Sequence, residues 1–132
     1  MLVVLNASAD VNVYLKSTSV QVGAEGKIEL YVETDNPIGT VNTVFEMPEG
    51  VNILDIQSEG AAVTWNSTEL NLLLGKGAPY FSTGVVATIT VSVDDDVELG
   101  DYPMTIKMGK LVEPNLTTYN FADVESTLTV QK

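Results

Sequence analysis

Ten residues from Gly84 to Val93, reading G-V-V-A-T-I-T-V-S-V, constrain the fold of this chain more than any other stretch. Val85, Ala87, Ile89, Val91 and Val93 share one parity, and Val86, Thr88, Thr90 and Ser92 share the other. Side chains of an extended strand alternate between faces, so the spacing predicts one apolar face and one mostly hydroxylated face. Most of these residues are β-branched, which suits a pleated surface and disfavours a helix. Gly84 opens the stretch and Asp94-Asp95-Asp96 closes it with turn chemistry. A central strand is expected, with one face on the core and the other open to a partner.

Alternation of the same kind recurs along the chain. Val11, Val13 and Leu15 form one apolar set, Ile28, Leu30 and Val32 a second, and Val41, Thr43, Phe45 and Met47 a third. Val51 to Ile56, Val63 to Trp65, Glu69 to Leu74, Tyr102 to Ile106, Leu111-Val112 and Val124 to Val130 read as further strands. Turns are marked by Gly23 to Gly26, Asp35-Asn36-Pro37, Pro48-Glu49-Gly50 and Glu98 to Asp101, and Pro114 to Ala122 reads as a long loop. No window carries a helical period. The expectation is an all-β fold, a sandwich of nine or so strands, over residues 10–132, with residues 1–9 as linker. A chain of 132 residues with 45% hydrophobic content can bury one core.

Composition narrows the chemistry. The chain has no histidine, arginine or cysteine, which excludes Ser-His-Asp and Cys-His nucleophilic catalysis and removes the usual zinc ligands. A carboxylate pair is the one catalytic device left, but the acidic residues fall on outward positions and turns. The reading is a non-enzyme without cofactor. The acidic run Asp94 to Asp96 with Glu98 and Asp101 departs from the spacing of a calcium-binding helix-loop-helix, and reads as a solvated turn. A net charge of −12 repels phosphate backbones and anionic headgroups, so nucleic acid and membranes are poor partners, and no apolar run is long enough to span a bilayer. Ala7-Ser8-Ala9 has the look of a small-residue cleavage site. Sequons at Asn6, Asn66 and Asn115 are as many as chance supplies in so Ser/Thr-rich a chain.

Three segments, taken in order, resemble the cohesin family, the receptor modules of cellulosomal scaffoldins. They are Val22-Gly23-Ala24-Glu25-Gly26-Lys27-Ile28; the stretch from Gly77 to Val93 with its G-V-x-A-T-I pattern; and Glu98-Leu99-Gly100-Asp101-Tyr102-Pro103-Met104-Thr105-Ile106, continuing through Gly109-Lys110-Leu111 to Leu128-Thr129-Val130. The resemblance implies a nine-stranded jelly roll that binds a dockerin-type partner through one flat sheet face. It also implies a place in a larger secreted or cell-surface bacterial protein. The face would be built from strands at about 41–47, 69–74, 84–93 and 108–113. Asn42 matches an Asn of the family's third strand, while Val44 stands where an Asp is usual, which implies a different specificity.

On the parity that should face water, Val44, Leu73 and Val86 are apolar, and Asn42, Glu46, Asn71, Thr88 and Thr90 flank them. An apolar centre inside a polar rim is the anatomy of a protein interface, so these eight residues form the expected partner-binding set. The alternative is a carbohydrate-binding sandwich, with Trp65, Tyr80, Phe81 and Tyr119 as a platform for sugar rings.

Overall fold

The computed structural model describes residues 11–132. The linker reading of residues 1–9, the Ala7-Ser8-Ala9 site and the sequon at Asn6 lie outside the described residues.

Twelve strands are present: β1 (Asn12–Leu15), β2 (Thr18–Gln21), β3 (Glu25–Glu33), β4 (Thr40–Glu46), β5 (Val51–Gln57), β6 (Ala62–Asn66), β7 (Asn71–Gly75), β8 (Gly84–Val93), β9 (Gly100–Ile106), β10 (Gly109–Val112), β11 (Thr118–Phe121) and β12 (Val124–Gln131). They form two sheets. The smaller has the order β1-β3-β8-β5. The larger runs β11-β10-β4-β9-β12-β2, and its β4 also pairs with β7, which pairs with β6. All twelve are strands, and no helix occurs among the described residues.

The count exceeds the nine expected chiefly because two short strands, β2 and β11, lie outside the alternating runs. β2 follows the first apolar run across Lys16-Ser17. β1 runs antiparallel to β3 in the small sheet, and β2 runs parallel to β12 in the large one. One stretch of chain thereby laces the two layers together at an edge. Ser126 Oγ donates to the carbonyl of Leu15, and Thr127 N donates to Ser17 Oγ at 3.1 Å, which fixes the crossing point. The region expected to be a long loop from Pro114 to Ala122 contains β11. There Tyr119 and Phe121 lean inward, and Tyr119 and Thr118 pair with Leu111 and Val112 of β10.

The core lies between the sheets and is aliphatic. Ile28, Leu30, Val32, Ile89 and Val91 come from the small sheet, and Val41, Leu72, Leu74, Met104, Ile106, Leu111 and Leu128 from the large one. Each such side chain contributes about 1.5–3 kcal/mol on burial, before chain entropy is subtracted.

β8 is central in its sheet, between β3 and β5, as its sequence requires. Its face assignment changes partway. Across the β3–β8 ladder Leu30 pairs with Ala87 but Tyr31 pairs with Val85, so Val86 has no opposite number. An unpaired extra residue is a β-bulge, and it reverses the inside–outside alternation beyond it. Val86 consequently turns into the core at 4% exposure and Val85 turns out at 45%. β5 carries the equivalent irregularity between Ile53 and Asp55, which leaves Leu54 exposed.

Candidate functional site

The outer face of the large sheet is set by the pleat of β4. Val41, Thr43 and Phe45 point into the core, which sends Asn42, Val44 and Glu46 outward. Next to it Leu72 and Leu74 of β7 are fully buried, so Asn71 and Leu73 point out. In register, Asn42 pairs with Leu73 and Val44 with Asn71. On the far side of β7, Thr64 of β6 pairs with Leu73, and on the other flank of β4, Lys110 of β10 pairs with Asn42. Asn120 of β11 pairs with Lys110. One row, Thr64–Leu73–Asn42–Lys110–Asn120, thus crosses five strands on one face.

Five of the eight expected partner-binding residues, Asn42, Val44, Glu46, Asn71 and Leu73, share this face. The other three do not. Val86, Thr88 and Thr90 belong to β8, in the opposite sheet. Thr88 and Thr90 point out from the back of the sandwich, and the bulge buries Val86. The strand that flanks β7 is β6, not the 84–93 strand. The physical reason is the core itself: β8 must lie between β3 and β5 to bury Ile89 and Val91 from the small sheet.

Met108 takes the place vacated by Val86. It sits between β9 and β10, is 66% exposed, and lines a shallow depression of about 390 Å³ with Asn42, Val44, Asn71, Lys110 and Asn120. Leu73, 38% exposed, lies one strand over from β4 on the same face, diagonal to Val44 across the β4–β7 ladder. The outward apolar set is therefore Val44, Leu73 and Met108. Sequence reasoning missed Met108 because it continues the parity of inward-facing Met104 and Ile106, and the break between β9 and β10 turns it out. The one signal was a large apolar residue against Gly109, at the point where the strand breaks. Asn120 was hidden by the loop reading of its segment.

Local bonds hold the face in shape. Asn71 Nδ2 donates to Asn42 Oδ1 at 3.2 Å and to the main-chain carbonyl of Thr43 at 3.4 Å. Lys107 bonds through its backbone N–H to the carbonyl of Val44 at 2.7 Å, and its ammonium pairs with Asp123 at 2.9 Å. That hydrogen bond, with the charge of Asp123 and Glu46, raises the Lys107 pKa. Beyond β10, the Tyr119 hydroxyl donates to Glu113, which raises the phenol pKa, with desolvation adding to the shift. Carboxylates stand at the margins: Glu46 and Glu125 both pair with Thr105 on the outer face, and Glu113 follows the end of β10.

The proposed aromatic platform is not assembled. Phe81 is in the core, Trp65 packs on Phe45 with ring centroids 6.1 Å apart, and Tyr119 is tied to Glu113. The acidic turn is occupied with internal bonds, Asn52 Nδ2 to Asp94 Oδ1 at 3.0 Å and Thr129 Oγ1 to Asp101 Oδ1 at 2.7 Å. Among the described residues no three carboxylates gather as a metal site.

No family model and no curated protein sequence matches the chain. Solved structures do match by shape. A cohesin module from a Clostridium perfringens family 33 glycoside hydrolase is 13% identical, covers 92% of this chain and 96% of its own, and superposes with a TM-score of 0.78. A chain of the Coh-OlpA–Doc918 type I cohesin–dockerin complex of Clostridium thermocellum is 12% identical over 91% of this chain and 98% of its own, with a TM-score of 0.75. A non-cellulosomal cohesin from the archaeon Archaeoglobus fulgidus is 11% identical over 93% of this chain and 92% of its own, with a TM-score of 0.72. Two sheets with these strand orders, and neighbours of this kind, make the chain a cohesin-like β-sandwich.

Proposed function

We propose that the chain is a non-catalytic receptor module that binds a dockerin-type partner on the outer face of its large sheet. The observation that carries this reading is the outward apolar set of half-buried Val44 and exposed Leu73 and Met108, set among the amides of Asn42, Asn71 and Asn120. Apolar side chains fixed on rigid strands and ringed by polar groups bury area on docking with little loss of conformational entropy. Similar folds occur in cohesin–dockerin complexes, which supports a dockerin as the partner class. A net charge of −12 speeds encounter with a partner whose outlying surface is basic. Such a receptor belongs in a secreted or surface-anchored multidomain protein.

The test is calorimetry against a panel of purified dockerin modules, using wild-type protein, Leu73→Asp and Thr88→Lys. Leu73→Asp puts a charge into the apolar part of the face, and Thr88→Lys changes the back of the sandwich. The reading expects at least one binder that is lost with Leu73→Asp and kept with Thr88→Lys. A panel without binders, or a binder indifferent to Leu73, counts against it.

A further inference from the structure

Resting on that reading of the large-sheet face, we infer that the partner sets a carboxylate against Lys110 at the centre of the interface. Two amides on this face have a fixed orientation. The Thr43 carbonyl can only accept, so Asn71 must turn Nδ2 toward it, and the same Nδ2 then faces Asn42. Asn42 answers with Oδ1, which leaves its own Nδ2 as a donor without an acceptor among the described residues. Directly across the ladder from Asn42 stands Lys110, exposed and free of any ion pair among the described residues. Lys107, the neighbouring cation, is engaged by Asp123.

The middle of the face therefore offers a cation and an amide donor at paired positions, next to the apolar surface of Val44 and Met108. No carboxylate lies in the row Thr64–Leu73–Asn42–Lys110–Asn120, although the chain has 18 acidic residues. Glu46 and Glu125 lie in a separate row near Thr105. Complementarity asks for the opposite pattern on the partner, with one Asp or Glu side chain centrally and basic groups outside it. A carboxylate accepts from both an ammonium and an amide N–H, whereas a Lys or Arg there would meet Lys110 as a like charge. A second copy of this chain offers Lys110 against Lys110 on the same patch, so it is a poor occupant.

The experiment is a display library built on the dockerin of the Coh-OlpA–Doc918 complex, with its cohesin-contacting positions randomised and selected against the wild-type domain. Selected clones are rescored against Lys110→Glu, Lys110→Arg and Leu73→Asp, all checked for folding by thermal melting. The inference expects Asp or Glu enriched at one position. It also expects affinity to fall at least about tenfold with Lys110→Glu, to hold with Lys110→Arg, and to vanish with Leu73→Asp. Clones lost with Leu73→Asp but indifferent to Lys110→Glu, or enriched in Lys and Arg at the position opposite, overturn the carboxylate and leave the face standing. Clones indifferent to Leu73→Asp, or no clones, overturn the face as well.

Discussion

Val20 lies directly over Gly26: a Cβ built on that glycine would stand 2.5 Å from Val20 Cγ2. The contact lets β2 of the large sheet close down on β3 of the small one at the laced edge. Val20 is itself buried, so it has no free volume to retreat into. Gly26→Ala is expected to cost about 1–3 kcal/mol through overpacking, measured by urea denaturation. A neutral result would mean that the edge is looser than this packing requires.

The β8 bulge makes a pair of neighbouring valines respond differently. Val86→Thr buries a hydroxyl among aliphatic groups and should lower stability by about 1–3 kcal/mol. Val85→Thr, on the exposed side, should stay within about 0.5 kcal/mol of wild type. Equal losses from the two substitutions would show that the strand continues without the bulge.

Thr43 offers the reverse case. Its side chain is fully buried, and its Oγ1 has no hydrogen-bond partner among the described residues. Thr43→Val keeps the shape and removes the unsatisfied group, so stability should rise by about 1 kcal/mol or more. The shift in denaturation midpoint reads this directly.

Three groups titrate late on the alkaline limb: Tyr14, raised chiefly by desolvation, and two that are raised chiefly by a hydrogen bond to a carboxylate. Tyr119 and Lys107 both have pKa values raised above their ordinary 10.0 and 10.5, each chiefly by a hydrogen bond to a carboxylate, Glu113 and Asp123 respectively. A raised folded pKa stabilises the protonated form. The contribution is fully present below the unfolded value and disappears as pH climbs through the folded one. Denaturation midpoints of wild type should therefore fall above pH of about 10 more steeply than those of the double variant Tyr119→Phe, Asp123→Asn. Parallel curves would remove both groups from the account.

Met108 should matter for binding and little for folding. Met108→Ala trims a side chain that is 66% exposed, so its melting temperature should hardly move. In a dockerin pair found by the calorimetric panel, the same change should weaken binding about fivefold to thirtyfold, in the range of an interface anchor. Thr90→Lys, on the opposite sheet, is the control that should leave affinity alone.

Most of the architecture was legible in the residues because burial imposes a period of two. Val41, Thr43 and Phe45 announce their inward face, and that also announces the outward one, so Asn42, Val44, Glu46, Asn71 and Leu73 could be placed on a surface before any coordinates. Which strands neighbour one another is a different matter. Pairing depends on backbone bonds that every residue but proline can make, so nothing in Thr88 or Thr90 says which sheet β8 joins. Bulges are hidden for a related reason. Val85-Val86 is equally apolar in either phase, and only the partner strand decides which valine goes in. Met108 was missed because the break after β9 turns it out against its parity, and Asn120 because the short pairing at β11 replaces a run long enough to show alternation.

The parallel pairing of β2 with β12 has a mechanical consequence. Thr18 is matched with Leu128 and Gln21 with Gln131, so the chain arrives at one end of this pair and departs from the other. Tension between the N-terminal and C-terminal sides then slides the two strands along each other, loading the rungs together instead of peeling them singly. A module tethered in series with its neighbours would hold its shape under drag, and a force spectrometer should register one high rupture peak in place of a gradual unzipping.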